Sequence, residues 1–541
     1  ARDGEWWVVT TVNGTQYWFG HEQLPGWTSG KLTTGSVWTE PVFGNHSGEP
    51  CYASTFAASA CTQAWRWNLD YVVDPHGNSM SMWYSSDTGR YAKNLVTTSS
   101  STYVRGGRLD RVEFGTRVVG DLATGTDTAY SGNAAARVEF GYADRCLVNC
   151  GTHNDTTWPD TPWDLECPGS VCDNSSPSFW TTKRLASVTT RVWDAPTSAF
   201  RDVERWTLTH SFPDPEDTTR AGLWLDKIGH QGLVGMTTSL PDVTFTGVPM
   251  HNRVDAVDTA PSMNWRRLKA ITTETGGLVS VEYSPQDCVA GSRVPTVPES
   301  NTLRCYPVKW TREGYTTPTI DYFHKYVVTE VMETDLTGGT TSPRVLHHYD
   351  YLGDPAWHYT DDDGLIAPEQ KTWSQWRGYA RVAVTDGDPG EQTYSESLYF
   401  RGMHGDHLPG GTRSVSVTDS LGATVVDEDV FAGQVREQRI FNGPGGAEVS
   451  ATINDQWRSE PTATRTINGV TVAARFVNTA GTHSRVTLDN GRGTRTAGTR
   501  NEFDAYGMVV RLDDLGDEAV AGDEQCTLTS YEPRNTTAWL M

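Results

Sequence analysis

The sequence predicts an all-β protein: an extended, curved antiparallel sheet of repeated hairpins, with disulfide-stapled loops. Three observations predict it. The 541 residues hold Gly 52, Pro 27, Trp 21 and Tyr 21, a composition that favours strands and turns over long amphipathic helices. Runs such as Trp65, Trp67, Leu69, Tyr71 and Val73 alternate with Arg66, Asn68, Asp70 and Val72, the period-two signature of a strand. One turn spacing recurs, Asp-x-x-Gly: Asp74 with Gly77, Asp335 with Gly338, Asp361 with Gly364, Asp419 with Gly422, Asp504 with Gly507, and Asp513 with Gly516. Glu274 with Gly277 is a variant. An Asp at the first turn position accepts from the backbone two residues on, and Gly tolerates the dihedrals that close the turn. A hairpin unit used repeatedly is the mark of a repeat architecture.

Taken in order, the chain opens on strand-like Trp6 to Val12, turned by Asn13-Gly14 into residues 16–19. Cys51 to Cys61 closes a small loop, and the strand from Trp65 turns at Asp74. Strand pairs follow around Gly107-Arg108-Leu109 and Ala136-Arg137-Val138. Residues 146–180 change character, with four cysteines and many Asp, Asn, Ser and Thr, and read as a surface insertion. Strands resume at residues 185–194 and 203–212. Residues 223–228 read as a strand or one helical turn. Hairpins follow around Gly276-Gly277 and Asp335, then an aromatic knot from Trp373 to Tyr379, and hairpin upon hairpin after Thr412. The expected division is 1–145 as an N-terminal hairpin segment, 146–180 as a Cys-rich insertion and 181–541 as a repeat segment continuing beyond Met541.

Charge and cysteine usage narrow the function classes. The net charge is −23, from 44 basic and 67 acidic residues, which argues against nucleic-acid binding by phosphate neutralisation. No apolar run approaches the roughly 20 residues that span a bilayer. Ala1 starts directly in polar sequence, which reads as a processed or excised piece. Eight of the nine cysteines fall in local groups: Cys51 with Cys61; Cys146, Cys150, Cys167 and Cys172; Cys288 with Cys305. Local disulfides and an oxidising, extracellular compartment follow. Cys526 stands alone, and its partner is expected outside residues 1–541. The rival for Cys146, Cys150, Cys167 and Cys172, with His153, is a structural zinc site.

The C-terminal stretch carries a family resemblance. Phe503-Asp504-x-x-Gly507-x-Val509-x-x-Leu512, followed by Asp513-x-x-Gly516, resembles the tyrosine-aspartate (YD) repeat of Rhs proteins, toxin-complex C proteins and teneurins, with Phe503 at the Tyr position and Met508 at the Arg position. Gly107-Arg108-Leu109-x-x-Val112-x-Phe114-Gly115 matches the middle of that repeat. The linking segment around Trp65 and Asp74 resembles those of large secreted actinobacterial Rhs-type proteins. The resemblance implies a hollow β-shell whose wall encloses another part of the polypeptide, often a toxic C-terminal domain. This chain is then a section of wall, secreted, and its partners are the remaining shell segments and the enclosed cargo. The family's self-cleavage motif is not found in residues 1–541, so no proteolytic residue is assigned.

Catalytic spacings are mostly absent: no His-Glu-x-x-His, Gly-x-Ser-x-Gly or Gly-x-x-x-x-Gly-Lys. Asp361, Asp362 and Asp363 lie beside His358, Tyr359 and Glu369. That cluster is read as an acidic turn, with a calcium site or acid/base chemistry as alternatives. His347 and His348 are adjacent on a strand and point to opposite faces; His76 is expected in a solvated turn. Two further function classes stand beside the shell. A glycan-binding or adhesion protein would stack sugars on exposed Trp65 and Trp67, which otherwise belong to the core. A β-rich glycoside hydrolase needs two carboxylates roughly 5–10 Å apart in a cleft.

Overall fold

The computed structural model describes residues 4–120, 125–254, 260–312, 316–339, 344–360, 366–388, 390–467 and 470–535. The protein is all-β, with 53% strand and 5% helix, the latter in three-residue turns such as Phe56–Ala58 and Trp163–Leu165. Twenty-four strands form one antiparallel sheet. Two compact units divide the chain: residues 1–214, 220–245 and 273–275, and residues 215–219, 246–272 and 276–541.

In the first unit the sheet begins at Trp7–Thr10, paired with Gln16–Phe19, and runs through Leu69–Val73, Asn78–Tyr91 and Ser101–Val119. It continues through Ala136–Asp144, Lys183–Asp194, Ala199–Ser211 and Trp224–Gly232. In the second unit Asn264–Thr272 pairs with Gly277–Tyr283, then Val328–Asp335, Arg344–Tyr359, Trp373–Asp386 and Thr393–Tyr399 follow. Val435–Phe441, Glu448–Arg458, Val477–Thr487, Thr494–Phe503, Val509–Asp517 and Gln525–Leu528 complete the order. Neighbours in sequence are neighbours in the sheet, as short connections require.

The turn chemistry read from sequence is visible atom by atom. Asp74 Oδ1 accepts from the His76 and Asn78 N–H groups at 2.8 and 2.9 Å. Asp419 Oδ1 accepts from Leu421 and Ala423, both at 3.0 Å, and Asp504 Oδ1 from Tyr506 and Met508 at 2.8 and 2.9 Å. In all three the Gly N–H donates to the Asp carbonyl and the Asp N–H donates to the carbonyl after the Gly. Gly77, Gly422 and Gly507 take φ of 81°, 89° and 75°. This is the three-residue hairpin loop that ends in a left-handed residue.

Other turns differ from the expectation. Asp513 and Gly516 are not a turn: both lie inside the nine-residue strand Val509–Asp517. Asp513 pairs with Arg500 and Cys526. Gly516, at φ 58°, sits at a register shift opposite Gly498 and Thr499, and Asp514 Oδ1 accepts its N–H at 3.0 Å. A carboxylate followed by a left-handed glycine serves a bulge as well as it serves a turn, and spacing alone does not separate them. The chain reverses after Asp517, whose Oδ1 accepts the Ala519 N–H. At Asp335 the side chain caps Thr337 at 2.7 Å, but the left-handed residue is Gly339, not Gly338. In the 274–277 variant it is Gly276. Asp361 to Gly364 lie outside the described residues. The alternating run from Trp65 breaks at Asn68 into Ala60–Trp67 and Leu69–Val73, because the Asn68 N–H and side chain both bond the Ser36 carbonyl. The two halves belong to different sheets.

The core is discontinuous. Excursions leave the sheet between adjacent strands and return, and apolar clusters form where they cover it. Leu24 joins Trp18, Tyr71, Val73, Trp83 and Val118 in one cluster. Val417 and Phe431 join Leu398 and Phe400 in another. Uncovered stretches look different: all nine residues of Ala136–Asp144 are half-buried, as are all but one of Gly277–Tyr283. A strand under a second layer would alternate buried with exposed.

Candidate functional surface

The uncovered sheet carries a row of ion pairs in place of an apolar inner face. In the first unit Arg111 pairs across strands with Glu139, Glu139 with Thr189, and Thr189 with Arg205. Along this face Arg137 meets Glu139 at 2.5 Å, and Arg191 meets both Glu139 and Asp202 at 2.7 Å. Arg205 meets Asp202 at 2.7 Å. The alternate positions, Val112, Val138, Phe140, Val188 and Trp206, share the opposite face. In the second unit a comparable row is covered: Arg439 opposes Ala451 and Ala451 opposes Arg485, but Ser420 of the 416–426 hairpin donates to both Glu437 oxygens and accepts from Arg485, and Glu437 and Ala451 are each 3% exposed. Arg485 binds Glu448 at 2.6 Å and Glu437 at 3.2 Å, and Arg439 binds Glu448 at 2.7 Å. Arg485 beside it holds the Glu448 carboxyl below the usual carboxylate range, and Glu448 in turn raises Arg485.

The half-exposed pairs of the first unit contribute little to stability, about 0–1 kcal/mol each. Their information lies in what they exclude. Covering the first-unit row with a second apolar layer would strip it of water at a cost of several kcal/mol per ion. The charged face is therefore built to stay wet.

The cysteines of the local groups are joined: Cys51–Cys61, Cys146–Cys150, Cys167–Cys172 and Cys288–Cys305, at Cα separations of 5.1, 5.6, 5.4 and 6.1 Å. The Cys146, Cys150, Cys167 and Cys172 sulfurs are consumed in two local bonds, and His153 stacks on Trp163 at 3.6 Å. Cys526 is free and exposed, and Asp513 beside it pushes its thiol up. Asp361, Asp362 and Asp363 lie outside the described residues. His358 Nδ1 faces the Tyr359 carbonyl at 2.7 Å and Nε2 lies 3.5 Å from Asp406. His347 meets Asp386 at 2.6 Å and His348 meets Asp350 at 3.4 Å. His76 is exposed. Trp65 and Trp67 are half-buried, and their ring N–H groups are spent on the Val104 and Glu5 carbonyls at 3.0 Å.

The residues that sequence reasoning missed are buried aspartates that pin excursions to strands. Asp70 accepts from the Glu22 N–H, Thr34 Oγ1 and Ser36 Oγ, and burial pushes its carboxyl up. Asp127 accepts from Tyr71 and Ser79 hydroxyls at 2.5 Å. Asp427 accepts three successive N–H groups, those of Arg401, Gly402 and Met403, at 2.8, 2.8 and 3.1 Å. Asp406 takes the Tyr359 N–H at 2.9 Å. Asp70 and Asp127 are 0% exposed, unlike the turn aspartates whose spacing drew attention.

No protein-family model matches the chain, and no curated protein matches it. Among solved structures it is similar to the crystal structure of TcdB2–TccC3–TEV, with a TM-score of 0.43 and 9% identity over 94% of this chain and 37% of that one. For the crystal structure of TcdB2–TccC3 the values are 0.41, 9%, 93% and 39%. For a Photorhabdus luminescens Tc holotoxin pore they are 0.42, 9%, 94% and 37%. The chain thus spans well under half the length of each. Likeness at this level settles neither fold nor function.

Proposed function

We propose that this chain is a section of wall in a secreted β-shell that encloses a cargo domain of the same polypeptide. The observation that supports it best is the bare sheet of the first unit: strands such as Ala136–Asp144 are half-exposed on both faces, and one face carries a row of ion pairs that needs water. A sheet with two wet faces separates one aqueous space from another. The repeated hairpin loops at Asp74, Asp419 and Asp504 and the YD-like motifs at Gly107 and Phe503 are in keeping with this role. Four disulfides suit an oxidising compartment, and among the described residues no helix is long and apolar enough to cross a membrane. The Cys-rich segment 146–180 is then a surface feature of the wall, and Cys526 a link to a neighbouring segment.

The test is protease protection. The natural full-length polypeptide is treated with protease in its native state, and its mass is read under non-reducing conditions. The proposal expects a cargo fragment that survives while the particle is intact and is digested once the particle is opened with denaturant. Cargo cleaved at the same rate in both states would contradict it.

A further inference from the structure

A cavity of about 520 Å³ opens in the second unit, lined by Glu299, Leu352, Asp354, Trp357, Arg401 and Met403 among others. This is within the range of small-molecule sites, about 300–1,000 Å³. Its wall holds charged groups of both signs with no direct ion pair between Arg401 and the carboxylates of Glu299 and Asp354 among the described residues. Arg401 makes one hydrogen bond, from Nη1 to the Asp354 carbonyl at 3.0 Å, and has no ion pair among the described residues. Its backbone is fixed by the Asp427 carboxylate, and burial lowers the guanidinium from its ordinary value, with the Asp427 and Asp354 carboxylates opposing that shift. The Glu299 and Asp354 side-chain carboxylates likewise have no hydrogen-bond or ion-pair partner among the described residues; only their backbone carbonyls are used. Arg413, also at the wall, is by contrast engaged by Asp406 and the Glu299 carbonyl. Between the charges the lining mixes apolar Leu352, Trp357 and Met403 with polar Ser300, Asn301 and Thr302. The Trp357 ring N–H is satisfied by the Leu303 carbonyl at 2.9 Å, so its ring presents no free donor.

An arginine with a free fork, taken partly out of water, is matched by a carboxylate that it holds through two parallel bonds. Two unpaired carboxylates nearby are matched by an ammonium, and Leu352, Trp357 and Met403 by an apolar side chain. We propose that this cavity binds a short zwitterionic peptide with an apolar side chain, its carboxylate on Arg401 and its ammonium beside Glu299 and Asp354. The site is independent of the enclosing role and stands or falls separately from it.

The experiment is calorimetric titration of the intact chain with four probes: the dipeptide Leu-Phe, its N-acetyl form, its C-terminal amide, and phenylalanine alone. Leu-Phe is expected to bind, with each blocked form about tenfold weaker or worse, the loss of one charge-assisted hydrogen-bond set. In Arg401→Gln the dipeptide and its amide should bind equally, and in Glu299→Gln the gap between the free and acetylated forms should narrow. Arg401→Lys, which keeps the charge and loses the fork, should fall between. Thermal midpoints of the variants verify folding, and the Glu299→Gln arm stands if Arg401→Gln does not fold. Absence of binding by every probe, or undiminished discrimination in both variants, overturns the site. Phenylalanine binding as tightly as Leu-Phe overturns the peptide assignment.

Discussion

Asp74, Asp419 and Asp504 build the same hairpin loop, yet the structure predicts that losing them has unequal cost. Asp74 Oδ2 accepts only from Asn78 in its own exposed loop, at 2.7 Å, whereas Asp419 Oδ2 receives Arg436 Nη2 at 2.7 Å in a buried pair, the two side chains 1% and 3% exposed. Asp419→Ala removes the loop cap and takes one partner from a buried pair, a loss of about 3–5 kcal/mol. Arg436 retains Asp455 at 2.5 Å, which places the expected value near the lower end, about 3 kcal/mol. Asp74→Ala and Asp504→Ala uncap solvent-facing loops and should cost well under half as much. The glycines give an independent ranking. A Cβ on Gly422 meets nothing within 4 Å, so Gly422→Ala carries only the left-handed backbone penalty, about 1–2 kcal/mol. A Cβ on Gly507 would lie 3.1 Å from Phe476 Cβ, and one on Gly77 3.1 Å from the Val118 carbonyl, so both should exceed Gly422→Ala. Urea midpoints, with hydrogen exchange in the hairpin Ser416–Thr418 and Thr424–Val426, provide the assay. Equal losses for the three Asp→Ala variants would refute the reasoning.

Four further outcomes are expected. Asp427→Ala leaves three N–H groups without their acceptor, at about 1–3 kcal/mol each; a thermal midpoint within a degree or two of the parent would contradict the pinning role. Burial, with His251 and Arg267 adding to it, pushes the His324 imidazole down to about 4. The unfolded chain then takes up a proton that the fold resists. That contribution is complete above about pH 6.5 and is lost as pH falls towards about 4, up to about 3 kcal/mol; His324→Gln should flatten the fall in urea midpoint over this window. Replacing Cys288 and Cys305 together by Ser opens a loop with a sequence separation of 17 and should cost about 3 kcal/mol by denaturant titration. Arg485→Met removes the cation shared by Glu437 and Glu448 and leaves Glu437, 3% exposed, without it; its destabilisation should change little as salt is raised, because buried pairs are screened weakly.

Local chemistry was legible in the sequence, and contacts made at a distance were not. The loops at Asp74, Asp419 and Asp504 are complete within five residues, so residue type and spacing suffice to read them. Asp513 and Gly516 misled because the left-handed glycine serves a bulge capped by Asp514 while Asp513 binds Arg511, and only the partner strand, here Thr494–Phe503, decides between bulge and turn. Asp70 looked like the polar side of an alternating strand, but donors 34–48 residues away bury it. The break at Asn68 likewise depends on Ser36. The all-β class was readable from composition and period, whereas the ion-pair rows need the register that brings Glu139 between Arg137 and Arg191.

Cryo-electron microscopy of the intact natural polypeptide tests the enclosing role most directly. The account predicts a map in which Ala136–Asp144 and Gly277–Tyr283 form a single protein layer with solvent on one side and a lumen on the other. A map with both faces of these strands packed under further protein would contradict it.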